Sequence, residues 1–232
     1  MNAVEIRDLW KRYPGSTALQ GLSLQVPPGV VLGVLGENGS GKSTLLRILA
    51  GVSRPSRGTV RVLGRDPRHP ATRRRVAFLP EVQPFDPWMR VQDLSRFLAA
   101  FYPQWDSEKA RRLLEALHLN PDRRIGDLSR GQQARLKLVA AFAWPSELVL
   151  LDEPLGGIDP PSRRRILQTL FSEFRYGEQT ILLSTHLVQE VEEFLDQVVF
   201  LKHGQIALQG EADALRQETG KSLVDLFEEV AS

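Results

Sequence analysis

Gly36-Glu37-Asn38-Gly39-Ser40-Gly41-Lys42-Ser43-Thr44 carries glycine, lysine and hydroxyl residues at the spacing G-x-x-x-x-G-K-[ST], the pattern of a loop that cradles phosphates. Its glycines allow successive backbone N–H groups to point at one anion. A helix starting at the end of the loop adds its positive N-terminus. In that arrangement Lys42 reaches the β- and γ-phosphates of a nucleoside triphosphate, and the Ser43 hydroxyl is a ligand for Mg²⁺.

A second group of residues suits the same chemistry. Leu148-Val149-Leu150-Leu151-Asp152-Glu153 is an apolar run that ends in two carboxylates. Beside a phosphate loop, Asp152 is suited to hold Mg²⁺, and Glu153 to act as general base on a water aimed at the γ-phosphate. On its own such a pair is equally a solvated turn; the company of the loop favours the catalytic reading.

The elements that must position these groups alternate between strand and helix, which argues for an α/β core. Val4 and Ile6, then Leu22, Leu24 and Val26, alternate as strands. Val30–Leu35 reads as a buried strand entering the phosphate loop, and Leu45–Leu49 as the helix leaving it, stopped by Gly51. Thr59–Leu63 and Arg75–Leu79 read as further strands. From about Val82 to Trp144 strand signals vanish, and helices are expected at Val91–Phe101, at Ser107–Leu117 and from Ser129. Alternation resumes with strands Leu148–Leu151, Thr180–Leu183 and Val198–Leu201, helices Ser162–Phe174 and Leu187–Leu195, and a hairpin turn at Lys202–Gln205. Leu223, Leu226, Phe227 and Val230 mark a last amphipathic helix.

Leu128-Ser129-Arg130-Gly131-Gln132 stands 23 residues before Asp152 and opens the third helix of the insert. It resembles the L-S-G-G-Q signature of the ATP-binding-cassette (ABC) ATPases, and the resemblance runs from about Val4 to Leu215. It implies a P-loop NTPase core with a mostly parallel, RecA-like sheet, an N-terminal antiparallel β region and an inserted α-helical subdomain. As one nucleotide-binding domain, the core spans about 1–81 and 145–215, the helical subdomain about 82–144, and a C-terminal helix 216–232.

The resemblance also implies site residues. Ser129 caps its helix and Gly131 lets the backbone approach a phosphate; with Arg130 and Gln132 they meet the γ-phosphate bound on a second subunit, so hydrolysis needs a dimer, homo- or heteromeric. Tyr13 matches the aromatic that stacks on adenine, the alternative being a core tyrosine. Asp159, in Gly157-Ile158-Asp159, matches the acidic residue of a loop touching the opposite subunit, and His186 the histidine on the γ-phosphate. Two positions depart from the pattern. Arg130 replaces a glycine, and Glu81 stands where the family has a glutamine touching Mg²⁺ and the attacking water, with Gln83 as a nearby substitute. The cofactors implied are ATP and Mg²⁺.

Composition sets outer limits. Thirty Lys and Arg against 28 Asp and Glu leave too little charge to make nucleic acid the expected partner. The absence of cysteine excludes a disulfide scaffold and thiolate chemistry. The uncharged stretch Tyr13–Gly36 contains Pro14, Pro27 and Pro28, so no spanning helix is expected there, and Met1–Asp8 does not read as a signal peptide. The resemblance therefore points to an ATPase on the cytoplasmic face of a membrane, driving separately encoded permease subunits, with ABC-2-type exporters the best match. A soluble relative acting in protein or iron–sulfur assembly or on nucleic acid is the alternative. Phe85, Trp88, Phe97, Phe101, Tyr102 and Trp105 are split between a docking groove for the permease and the insert's own core. Arg73-Arg74-Arg75 and Arg163-Arg164-Arg165 are expected to be solvated faces.

Overall fold

A computed structural model describes residues 1–82, 84–174 and 177–231. β1 (Val4–Tyr13) and β2 (Ser16–Val26) form an antiparallel hairpin, and β4 (Arg57–Val62) pairs with the other side of β1. The turn between β1 and β2 uses Gly15 at φ 79°. Both strands are longer than the alternating segments Val4–Ile6 and Leu22–Val26 predict. Irregular pairing between Ile6 and Leu9, with Asp8 at positive φ, resets the alternation so that Val4, Ile6 and Leu9 all face inward.

The second sheet has six strands in the order β5-β6-β7-β3-β8-β9. They are β3 (Val31–Leu35), β5 (Val76–Leu79), β6 (Leu148–Asp152), β7 (Thr180–Thr185), β8 (Gln197–Lys202) and β9 (Gln205–Glu211). The first five run parallel, and β9 folds back antiparallel on β8. Every residue of β3, β6 and β7 is buried because both faces of the sheet are covered. Leu148 and Leu150 pack with the antiparallel sheet and α1 (Lys42–Leu49). Val149 and Leu151 pack on the other side with α5 (Arg130–Phe142) and α6 (Pro160–Ser172). A parallel sheet covered on both faces needs such continuous apolar runs.

The helical insert consists of α3 (Val91–Phe101), α4 (Ser107–Ala116) and the first part of α5. Val91, Leu94, Leu113 and Leu136 join in its interior, continuous with the larger core. Asp106 caps α4 by accepting from the Lys109 amide. The aromatic cluster divides. Phe85, Tyr102 and Trp105 pack against the core, Tyr102 stacking on Trp144 at 4.6 Å. Trp88 and Phe101 stay 68% and 65% exposed, with Phe97 beside Phe101.

The structure differs from the sequence reading in three places. The helix predicted over Leu187–Leu195 is a short α7 (Val188–Val191) followed by one 3₁₀ turn, Glu192–Phe194. Asp196 is bound to Val31 through both backbone and side chain, which forces the chain back into β8. An α8 (Ala212–Thr219) follows β9 and precedes α9 (Leu223–Ala231), so a boundary at 215/216 would cut a helix. A short α2 (Pro70–Arg73), capped by His69, lies between β4 and β5; four residues give no readable period.

Candidate active site

Strand order places the chemistry. β3 lies between β7 and β8, both distant in sequence, so its carboxyl end is a topological switch point, where ligands of open α/β sheets bind. Leu35 at the end of β3 pairs with Thr185 of β7, and Asp152 at the end of β6 pairs with Ser184. The phosphate loop, the two carboxylates and His186 therefore meet along one edge.

Two loop glycines are required by space. A Cβ at Gly36 would lie 2.5 Å from the Leu201 carbonyl oxygen, and one at Gly41, where φ is 110°, 2.7 Å from that of Ala18. Gly41 is the N-cap of α1 and brings no side-chain cap, which leaves the helix's first N–H groups available to an anion. Glu37, Asn38 and Gly39 face solvent, Ser40 is buried, and Thr44 is half-buried. Lys42, only 5% exposed, donates to the carbonyls of Gly36 (2.7 Å) and Glu37 (3.0 Å) and sits 3.3 Å from Oε1 of Glu153.

Asp152 is fully buried. Its Oδ1 accepts from the hydroxyls of Ser43 (2.9 Å) and Ser184 (2.8 Å), while its buried Oδ2 has no hydrogen-bond partner among the described residues. An orphaned carboxylate oxygen beside the Ser43 hydroxyl is a hard-oxygen donor set that fits Mg²⁺, an ion that keeps several water or phosphate ligands. Among the described residues no three His, Asp or Glu side chains form a metal-holding group.

Glu153 follows at φ 45°, a left-handed conformation that costs a side-chain-bearing residue about 1 kcal/mol. Its amide is held by the carbonyl (3.1 Å) and hydroxyl (3.2 Å) of Ser184. The turn aims its carboxylate inward, with Oε2 3.2 Å from Nδ1 of His186 and Oε1 against the Lys42 ammonium. Oε1 is buried and makes no hydrogen bond of good geometry, so the Lys42 contact is a charge pair. Ser184, which holds both carboxylate residues, escapes sequence reading; its only signal is a polar residue closing an apolar strand.

The other predicted residues lie around this centre. Tyr13 is exposed, not a core residue, with the Lys11 ammonium 4.7 Å from its ring centre. It sits on the β1–β2 hairpin, and Ala18 of the same hairpin abuts Gly41. Glu81 is exposed, and its backbone carbonyl accepts from Lys137 at 2.7 Å. Gln83 lies outside the described residues. Ser129 and Gln132 form a reciprocal capping box at the start of α5, with Arg130 exposed. A Cβ at Gly131 would stand 3.1 Å from the Gly157 carbonyl, so the signature turn packs on the loop carrying Asp159. Asp159 caps α6 through the Ser162 amide, and hydrogen bonding to Ser162, its side chain foremost, holds the Asp159 carboxyl below the usual range.

The arginine runs are not uniformly solvated faces. Arg163 donates to the Ile158 carbonyl (3.0 Å) and pairs with Glu190 (3.1 Å), tying the Asp159 loop to the helix after His186. Arg73 donates to the Gly51 carbonyl, and Arg75 pairs with Glu147.

The ABC transporter family profile matches residues 19–156. The ABC transporter ATP-binding protein YtrB of Bacillus subtilis is 30% identical over 93% of this chain and 74% of its own length. The Nod factor export ATP-binding protein I of Paraburkholderia xenovorans is 33% identical, covering 97% of this chain and 76% of itself. A solved structure of the ATP binding subunit of an ABC transporter superposes with a TM-score of 0.87 at 27% identity, over 99% of this chain and all of the other.

Proposed function

The chain belongs to the ABC transporter family as an ATP-hydrolysing, ATP-binding subunit, and on that premise we propose how its residues divide the work. The carrying observation is that Glu153 is held between Lys42 and His186 at the carboxyl edge of the sheet. The loop Gly36–Thr44 and the start of α1 bind the phosphates of ATP, with Lys42 on the γ-phosphate and Tyr13 against the adenine. Glu153 accepts the proton of a water whose oxygen attacks the γ-phosphorus as the bond to the ADP oxygen breaks. His186 orients Glu153 and contacts the γ-phosphate. Ser43 and Asp152 would hold Mg²⁺, with Glu81 as a further oxygen donor, and the ion would supply neutralisation of phosphate charge.

We infer a head-to-tail dimer, of this chain with itself or with a second cassette. Ser129, Arg130 and Asp159 are exposed, and among the described residues none of 129–132 bonds to the phosphate loop of its own chain. In the dimer they complete the partner's site. The export activity in the name of the Paraburkholderia relative supports an exporter. No described helix is long and apolar enough to cross a membrane; the proposed pore is a separate permease on whose cytoplasmic face this subunit sits. The exposed Val82, Trp88, Phe97 and Phe101 supply an apolar docking face for it.

Two assays test this reading. ATP hydrolysis by the purified chain should require Mg²⁺ and stop with EDTA; metal-independent turnover would contradict the Ser43–Asp152 site. Tagged protein captured from detergent-solubilised membranes should retain a multispanning protein that a Trp88→Ser/Phe101→Ser variant loses. Recovery of only soluble partners would contradict the transporter reading.

A further inference from the structure

Two lysines are buried among the described residues, Lys42 and Lys137. Phosphate chemistry accounts for Lys42. Lys137, 6% exposed, lies two turns along α5 from the Ser129 cap and has no carboxylate within ion-pair distance among the described residues. Its ammonium donates instead to the carbonyl oxygens of Pro80 (3.0 Å) and Glu81 (2.7 Å). Burying a cation without a counter-ion is costly, and an apolar side chain of similar length would fill the same space. Burial pushes this ammonium below the usual lysine range, while the Glu81 and Asp152 carboxylates pull it back toward the charged form. Lys137 thus grips the backbone at β5's exit, at Pro80 and Glu81.

We propose that Lys137 is a positioning residue for ATP turnover, a clamp that fixes the Pro80–Glu81 backbone to the signature helix. The inference rests on the reading that Glu81 serves the nucleotide site. α5 is a single helix from its Ser129 cap to Phe142 and packs on β5. A displacement of Ser129–Gln132 on meeting a partner's γ-phosphate is therefore carried along a rigid rod to Lys137, and through its hydrogen bonds to the Pro80 and Glu81 carbonyls into that segment. Glu81 and the signature turn then move as one unit, which links dimer closure to the assembly of the hydrolytic site. Glycine or proline is absent between Arg130 and Phe142 save Gly131, so nothing along the rod invites a hinge.

The test is Lys137→Met. ATPase kcat should fall about tenfold, the scale expected when a catalytic group is misplaced by less than 1 Å. The KM for ATP, and equilibrium ATP binding in a Glu153→Gln background, should stay within twofold. Lys137→Arg, which keeps charge and donors, should recover most of the loss. If the Met variant does not fold, Lys137→Leu, which likewise has no donor, is read the same way. A kcat within twofold of the parent, a loss appearing wholly in ATP binding, or an Arg variant as slow as Met would overturn the proposal. Glu81→Gln separates the two readings. The bonds from Lys137 go to backbone oxygens, so unchanged turnover in Glu81→Gln would refute the role of the Glu81 carboxylate without altering what Lys137→Met reports.

Discussion

The Lys42 ammonium lies 3.3 Å from Oε1 of Glu153 while donating to two carbonyl oxygens of its own loop. The cation that should grip the γ-phosphate and the base that should act beside it thus neutralise one another. On the proposed reading, a triphosphate would draw Lys42 toward its phosphate oxygens and release Oε1 to face water. Oε2 lies against His186, so the carboxylate would be freed on one side only.

Lys42→Ala should weaken ATP binding roughly 10- to 100-fold, the worth of a charge-assisted hydrogen bond. Titration with a fluorescent ATP analogue measures it. Affinity within twofold of the parent would show that the lysine serves Glu153 alone.

On the proposed assignment, Glu81→Gln removes a charged oxygen donor from the nucleotide site. The Mg²⁺ concentration for half-maximal hydrolysis should rise about three- to tenfold, because carboxylate count tunes affinity for hard cations. A metal titration of ATPase activity reads this directly. An unchanged curve and unchanged turnover would remove Glu81 from the metal site.

Ser129→Ala should cost about 1 kcal/mol through the lost cap, a fall of roughly 2–4 °C in Tm for a chain of this size. Turnover should fall by more than tenfold at a temperature where the variant is folded, since the proposed dimer also sets the hydroxyl on the partner's phosphate. A lower Tm with undiminished turnover would reduce Ser129 to a helix cap.

Much of this site was legible because its spacing is local. Residues 36–44 and 148–153 each carry their chemistry within one strand end or loop, and the signature announces its own capping box. What escaped the sequence depends on contacts between distant segments. Ser184 holds Asp152 and the Glu153 amide from the neighbouring strand. Arg163 reads as one charge in a run of three, yet reaches both Ile158 and Glu190. Lys137 interrupts an apolar stripe and finds its partners only once α5 packs on β5. The left-handed backbone of Glu153 leaves no mark on composition. The aromatic cluster could not be divided from sequence, because Tyr102 and Phe101 are adjacent and differ only in which way α3 ends.

Glu153→Gln tests the central claim, that this carboxylate is the base of a dimeric ATPase. Steady-state hydrolysis and gel filtration with Mg²⁺ and ATP should be measured on the same preparation. Turnover should fall by about 100-fold or more, the usual contribution of a general base. ATP binding should persist, and the chain should elute as an ATP-dependent dimer. Hydrolysis at the parental rate would contradict the assignment of Glu153 and with it the account of the site.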